Sequence, residues 1–306
     1  MINVEIIIVS FNTKRYLKNC LESILRSDHP IFPKITVVDN GSTDGSIELI
    51  EEDFPTVKLI INESNLGYGA AMNKGIKDSK ADILILSNSD LYFHPDTISK
   101  SVDFLRKNDN VGIMGAQLIY TDKSWQKSFN DFPSLRSAFK NIIFMPSIEN
   151  WIRRFYWTRS KFDHYPIKVD WITGAFMVCR AEVIKKINAF DEDYIFYSED
   201  TDICKKVSLA GHDVIFNPTI EVTHVEGGSS NNSKINPRNI ELLAKGLNTF
   251  TEKHLLPLEK SIFILSKIFE SSILLFVSKI LSLFKSSFNN KSKYYKEFIR
   301  QLKAIY

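Results

Sequence analysis

Ile35-Thr36-Val37-Val38-Asp39-Asn40-Gly41-Ser42-Thr43-Asp44-Gly45-Ser46 passes from a β-branched run into a polar, glycine-bearing loop, and Ser42, Thr43 and Asp44 offer caps for a helix through Ile47, Leu49 and Ile50. A strand that is apolar almost throughout is buried on both faces, as in a parallel sheet whose crossovers are helices. The same alternation extends in both directions. Apolar runs recur at residues 4–9, 57–61, 83–86 and 111–119, and Pro95 suits the first turn of a helix through Ile98, Val102 and Leu105. Repeated strand and helix patterns of this kind predict an α/β domain with a mostly parallel central sheet.

Beyond residue 120 the alternation stops. Residues 121–168 are rich in aromatic and basic side chains (Trp125, Phe129, Trp151, Arg153, Arg154, Phe155, Tyr156, Trp157, Arg159) and read as a partly helical insertion. A strand is then expected over 171–180, helices over 181–186 and 199–210, and strands near Val214 and Val222, closing a domain over residues 1–230. Residues 231–257 read as a connecting helix and loop. In 258–306, Ile262, Phe269, Phe276, Ile280, Leu283 and Phe284 share one helical face, while Lys260, Lys267, Ser278, Ser282 and Lys285 share the other, which predicts an amphipathic, basic helical tail.

A chain of 306 residues with 44% hydrophobic and 25% charged residues, 12 Gly and 10 Pro is neither disordered nor collagenous. Its net charge of +3 is too small to mark a nucleic-acid binder. The charge is concentrated, however: residues 123–168 and 258–306 each hold nine basic against three acidic residues, leaving the remainder at −9. Cys20, Cys179 and Cys204 are odd in number and far apart, which predicts reduced, buried thiols rather than a disulfide framework or a structural zinc site. The N-terminus has no basic n-region or cleavage site, and no charge-free apolar run reaches the roughly 18–20 residues of a bilayer span, so neither a signal peptide nor a transmembrane helix is expected.

Several groups of residues at expected strand ends can carry chemistry. Ser10, Phe11 and Asn12 end the first strand, and Asp39 ends the second, where ligands of open α/β sheets bind. Asp39 has the type to accept a hydrogen bond from a nucleobase imide, with the backbone at residues 10–12 bracketing the base; equally, Asp39 and Asp44 serve as turn and cap residues. Asn65-Leu66-Gly67-Tyr68-Gly69-Ala70-Ala71-Met72-Asn73 matches a dinucleotide fingerprint poorly, and its glycines suit a tight helix entry, either beside a nucleotide or alone. Ser87-Asn88-Ser89-Asp90 places a carboxylate beyond the fourth strand, either to bridge Mg²⁺ or Mn²⁺ to a diphosphate or to cap a turn. Glu199, Asp200 and Asp202 open a helix, where acidic residues are electrostatically favoured and where one can also face a cleft as a general base. His224 ends a strand before the glycine-rich 226–230 loop, and a lone histidine in such a place is often structural.

Taken in order, VSFN, VVDNGSTDGS, NLGYGAAMNKG, LSNSD, WITGAFMVCR, SEDTDICKK and THVEGGSS, spread over residues 3–230, resemble glycosyltransferase family 2, most closely its bacterial rhamnosyltransferase-like members. The resemblance implies a GT-A fold and an inverting transfer from a nucleoside-diphosphate sugar. It implies that Asp39 recognises the base within a donor site that includes Asn65, Gly67, Asn73, Asn88 and Asp90. Asp90 would be the metal-binding last residue of a DxD motif whose first aspartate is here Asn88, and His224 would complete the metal site. Asp200 would be the catalytic base with Glu199 orienting the acceptor, and the acceptor site would include Gly174 and Trp171, at the start of the strand before it, which would stack on an acceptor sugar or fill the core. The donor implied is a dTDP- or UDP-sugar. The amphipathic tail and its lysines either pack on the catalytic domain or a second subunit of a homo-oligomer, or hold the protein at the cytoplasmic face of a membrane, with a polyprenyl-diphosphate-linked or other glycan as acceptor. The competing functions are a sugar nucleotidyltransferase, which needs a glycine-rich basic loop where the chain has Ser10-Phe11-Asn12-Thr13-Lys14, and a non-catalytic sugar-nucleotide or glycan-binding subunit, which needs neither Asp200 nor Asp90.

Overall fold

A computed structural model describes residues 2–26, 31–145, 148–149, 152–153, 165–225, 236–285 and 288–305. Trp151, Arg154, Phe155, Tyr156, Trp157 and Arg159 of the insertion, and the 226–230 loop, lie outside the described residues. The described chain forms two compact units: residues 1–130, 153–195 and 199–230, and residues 131–152, 196–198 and 231–306.

The first unit is an α/β layer. Strands β1 (Val4–Ser10), β2 (Lys34–Asp39), β3 (Lys58–Ile61), β4 (Ile83–Asn88), β5 (Leu91–Phe93), β6 (Val111–Ile119), β10 (Phe176–Arg180) and β11 (Asp213–His224) form the sheet in the order β3-β2-β1-β4-β10-β6-β11-β5, with β8 (Ile167–Lys168) beside β11. β7 (Phe129–Asn130) and β9 (Trp171–Ile172) form a separate pair. Helices α1 (Lys14–Leu25), α2 (Ser46–Asp53), α3 (Tyr68–Lys77), α4 (Thr97–Lys107), α6 (Ala181–Lys186) and α7 (Glu199–Leu209) flank the sheet. The parallel core β3-β2-β1-β4 is in the expected place, and its buried Ile6, Ile8, Val37 and Ile85 belong to one hydrophobic cluster.

The structure departs from the expected elements at three points. The run over 171–180 is two strands, because the chain turns at Thr173-Gly174-Ala175 before β10 enters the sheet antiparallel to β4 and β6. The strands near Val214 and Val222 are one strand, β11, with an irregularity between Asn217 and Glu221 that contains Pro218, a residue that cannot donate to a ladder. Helix α2 starts at Ser46, later than its candidate caps, after Gly45 at φ +84°; Asp44 Oδ1 accepts from the Ser46 amide and hydroxyl at 3.1 and 2.5 Å. All three cysteines are free and buried.

The second unit is helical: α5 (Leu135–Ile142), α8 (Pro237–His254), α9 (Pro257–Ser282) and α10 (Phe288–Ile305). Its core joins Ala138, Ile240, Ala244, Phe263, Ile264, Phe298 and Leu302. Residues 131–152, expected to belong with the first domain, pack here, and segments 231–257 and 258–306 share this one unit. Helix α9 also corrects the expectation that no segment is apolar enough to span a bilayer. Its 26 residues include an 18-residue window of mean hydropathy 1.7, and among the described residues it is the one helix long and apolar enough, by length and composition, to cross a membrane. A count of charge-free runs misses it because Lys267 and Glu270 interrupt the run, and these two pair with each other at 2.7 Å.

Candidate active site

The parallel register decides which residues meet. Ser10 lies opposite Asp39, and Val9 opposite both Val38 and Asn88, so β1, β2 and β4 end level, and β4 leads directly into Ser89 and Asp90. The order of the strands reverses between β1 and β4, the place where α/β sheets open a crevice for ligands.

Asp39 is completely buried. Its Oδ1 accepts the Gly41 and Ser42 amides at 3.1 and 2.8 Å, which holds the loop, while Oδ2 is buried with no hydrogen-bond partner. The residue thus fills the turn role and still presents an unused acceptor. A buried carboxylate oxygen without a donor is costly, and such atoms mark places where a ligand supplies the missing group. Asn12, in the left-handed region at φ +53°, ties this loop to the end of β1: its amide donates to Ser42 Oγ and its Oδ1 accepts the Thr43 amide, both at 2.8 Å. Phe11 is exposed beside it. Ser10 Oγ, Thr13 Oγ1 and Ser89 Oγ form a buried chain of hydroxyls at 2.9 and 2.7 Å, which fixes the β1 and β4 ends together.

Asp90 and His224 come together through β5, which pairs Leu91 with His224. Asp90 Oδ1 is buried without a hydrogen bond and stands 3.4 Å from His224 Nε2. On the other side of the ring, Nδ1 lies 3.2 Å from Gln126 Oε1, an atom that only accepts, so Nδ1 carries a proton and a neutral ring turns the Nε2 lone pair toward the carboxylate oxygen. Asp90 Oδ1 and the neutral ring's Nε2 are then two acceptors placed to share a cation. Among the described residues no third His, Cys, Asp or Glu joins them, so these two would hold a divalent ion only with oxygens from a ligand. Gln126, pinned by its amide to the Leu118 carbonyl at 3.1 Å and by its own carbonyl to Gln117 Nε2 at 2.8 Å, is a residue that the sequence did not mark; an isolated glutamine carries no motif.

Glu199 and Asp200 begin α7 immediately after Tyr197 and Ser198, both in the left-handed region at φ +71° and +70°. Consecutive non-glycine residues there store strain of order 1–3 kcal/mol each, the kind of departure that clusters at functional sites. Asp200 Oδ2 accepts the Gly174 amide at 3.1 Å and Oδ1 the Thr201 amide at 2.7 Å, whereas Glu199 Oε2 is buried with no partner. Burial raises both carboxyls. Glu199, which also feels the Asp200 charge, is pushed up to about 8, while the hydrogen bonds from Gly174 and Thr201 oppose the rise at Asp200. The pair therefore shares a proton at neutral pH, with Asp200 the better-supported anion.

The turn at Gly174 joins the two groups. Its amide holds Asp200, its carbonyl accepts the buried Tyr68 hydroxyl at 2.8 Å, and the next carbonyl, of Ala175, accepts the Asn88 amide at 2.9 Å. Burial, then Glu199 and Asp200, keep the Tyr68 phenol well above its ordinary range, so it remains a donor. Trp171 stands half-buried on β9, paired with Asn130.

The glycine motif after β3 braces the neighbouring loops. Gly67 is at φ +88° with Ile195 so close that a methyl there would lie 2.3 Å from its carbonyl oxygen, and Asn73 binds the Phe190 amide and carbonyl and the Glu192 side chain at 2.9–3.0 Å. Asn73 is therefore a clamp on the loop approaching Glu199. Asn65 Oδ1 accepts from Asn40 Nδ2 and the Gly67 amide, both at 3.0 Å, and so braces the loop beside Asp39.

Comparison with known proteins places this geometry in a family. Residues 5–187 match Glycosyl transferase family 2. The chain is 26% identical over 240 residues to an N-acetylglucosaminyl-diphospho-decaprenol L-rhamnosyltransferase of Mycobacterium tuberculosis, which covers 74% of this chain and 76% of the relative. Its fold is similar to that of a mannosyltransferase from Pyrobaculum calidifontis solved with GDP-Man and Mn²⁺, at TM-score 0.63, 16% identity and coverage of 99% of this chain and 86% of that one. It is also similar to GalNAc-T7 solved with UDP, GalNAc and Mn²⁺, at TM-score 0.61, 16% identity and coverage of 98% and 57%. With more than half of its length matched by the family, and with the sheet order and strand-end site described above, the chain belongs to glycosyltransferase family 2 and is a glycosyltransferase of the GT-A fold.

Proposed function

We propose that this enzyme moves a sugar, with inversion, from a dTDP- or UDP-sugar to a polyprenyl-diphosphate-linked saccharide. The observation that carries the reading is the set of buried carboxylate oxygens without partners, on Asp39 and Asp90 at the ends of β2 and β4 and on Glu199 at the start of α7. Asp39 Oδ2 accepts the imide N–H of a pyrimidine base, between Phe11 and the loop held by Asn12. Asn88 and Asp90 lie under the diphosphate. Mg²⁺ or Mn²⁺ held by Asp90 Oδ1 and His224 Nε2 would neutralise the charge that grows on the departing diphosphate. Asp200, ionised and fixed by Gly174, takes the proton of the acceptor hydroxyl as the new bond to the anomeric carbon forms and the bond to the diphosphate oxygen breaks on the opposite side. Glu199, holding its proton, donates to the acceptor. Trp171 offers a face to the acceptor sugar.

The acceptor class is supported by the mycobacterial relative, whose name describes a lipid-linked saccharide substrate. Helix α9 and the basic residues of 258–306 support a location at the cytoplasmic membrane surface. The test is release of nucleoside diphosphate from a panel of dTDP-, UDP- and GDP-sugars by purified protein, with and without polyprenyl-diphosphate-linked N-acetylglucosamine and Mn²⁺. Acceptor-dependent release from a pyrimidine donor supports the reading; release from GDP-sugars alone, or from none, contradicts it.

A further inference from the structure

Two helices of the second unit are packed inside out. Helix α5 buries Ser137, Ala138 and Asn141 and exposes Leu135, Phe139 and Ile142, with Ile143 following. Helix α9 buries Ser266, Glu270, Ser271 and Ser278 together with Phe263 and Ile264, and exposes Leu265, Phe269, Phe276, Val277, Ile280 and Leu281. Phe139 is 64% exposed, Phe276 65%, and Phe284, just beyond α9, 83%. The two helices pack against each other, although they come from segments more than a hundred residues apart in the chain.

The inward polar groups are satisfied locally. Ser266 and Ser278 donate to the carbonyls of Phe263 and Leu275 at 2.7 and 3.0 Å, and Glu270 pairs with Lys267. Small inward side chains allow close helix approach, as in helices packed in lipid, where burying apolar surface between helices gains nothing over exposing it. Water favours the opposite orientation, and contiguous exposed apolar surface marks an interaction site.

Charge identifies the occupant. The second unit, residues 131–152, 196–198 and 231–306, which supplies these helices, carries fifteen basic against seven acidic residues. A second copy docking by the same face would bring like charge against like charge, whereas anionic lipid headgroups complement it. We propose that the outward faces of α5 and α9 together form a seat that lies in the headgroup and acyl boundary of an anionic bilayer, with Phe139 and Ile142 of the insertion inserted beside Phe276 and Ile280. This rests on the membrane location proposed for the C-terminal segment, and adds α5 as its second half.

The test uses full-length protein and vesicles of phosphatidylcholine with and without 30% phosphatidylglycerol, comparing wild type, Phe139→Glu and Phe276→Glu, each checked for an unchanged thermal melt, which their exposed positions favour. Wild type is expected to co-sediment with the anionic vesicles and to be released by salt. Each variant is expected to partition roughly tenfold or more weakly, the loss of one inserted phenylalanine. If Phe276→Glu weakens binding and Phe139→Glu does not, α9 holds the membrane alone and the role of α5 is overturned while the location stands. Equal binding by all three proteins overturns the seat while the location stands; no binding to anionic vesicles, with or without a Phe139-dependent dimer by analytical ultracentrifugation, overturns both.

Discussion

The strand ends of the first unit and the helical surface of the second depart from ordinary packing in opposite ways. At the strand ends and at the start of α7, carboxylate oxygens of Asp39, Asp90 and Glu199 are buried without hydrogen-bond partners. On α5 and α9, Phe139, Ile142, Phe269, Phe276 and Ile280 face outward while Ser137, Ser266, Ser271 and Ser278 face in. Polar atoms left unsatisfied inside mark where a polar ligand enters; apolar side chains left outside mark where an apolar medium is met. The two departures should therefore be separable by experiment, because one governs chemistry and the other location.

The largest separation is expected at Asp200. Asp200→Asn keeps the side-chain shape and the Gly174 contact but cannot accept a proton, so kcat should fall by roughly 10²–10⁴ while donor affinity and vesicle binding stay within twofold. A loss of donor affinity equal to the loss of rate would show that the residue binds and does not catalyse. Asp39→Ala removes the one acceptor proposed for the base, and nucleotide affinity measured by calorimetry should fall on the order of 10–100-fold, with the preference for pyrimidines lost.

Gln126→Leu should act one step away. With Nδ1 of His224 released, the ring can carry its proton on Nε2 and donate to Asp90, closing the space for a cation. Mn²⁺ affinity of the nucleotide-bound protein should drop roughly 10–100-fold, while metal-free nucleotide binding is unchanged. Nitrogen NMR of His224 in the metal-free protein should show the proton moving from Nδ1.

The smallest effect concerns stability. Glu199 is held near pKa 8 in the folded chain, above an ordinary carboxyl, so the folded state binds the extra proton and stability falls as pH rises from about 4.5 to 8. Glu199→Gln removes that dependence. At pH 8.5 the variant should melt roughly 2–4 °C above wild type for each kcal/mol relieved, with the gap closing near pH 5. Parallel melting curves for the two proteins across this range would contradict the shared proton.

The sequence made much of the first unit legible because β1, β2, β4 and β6 are continuous apolar runs, and such runs have few alternatives. It marked Asp39, Asp90 and Asp200 because each stands where a strand or helix visibly changes character. It could not mark Gln126, or the three-residue strand β5 that brings His224 to Asp90, since neither has a periodicity. Asn73 and Gly67 were visible as a motif, but their use depends on contacts with Ile195 and with Phe190 to Glu192, more than a hundred residues away. The amphipathic pattern of α9 was visible too, while the direction in which its apolar face points was not, because a helical period does not say which side packs.

Calorimetric titration of UDP, dTDP, GDP and CDP into wild type, Asp39→Ala and Asp90→Ala, with and without Mn²⁺, tests the strand-end site most directly. The expected result is binding of a pyrimidine diphosphate by wild type that strengthens with Mn²⁺, with the metal dependence lost in Asp90→Ala and the base preference lost in Asp39→Ala. Equal affinity for all four nucleotides in all three proteins, or no binding at all, would contradict the assignment of these buried carboxylates to a nucleotide-sugar donor.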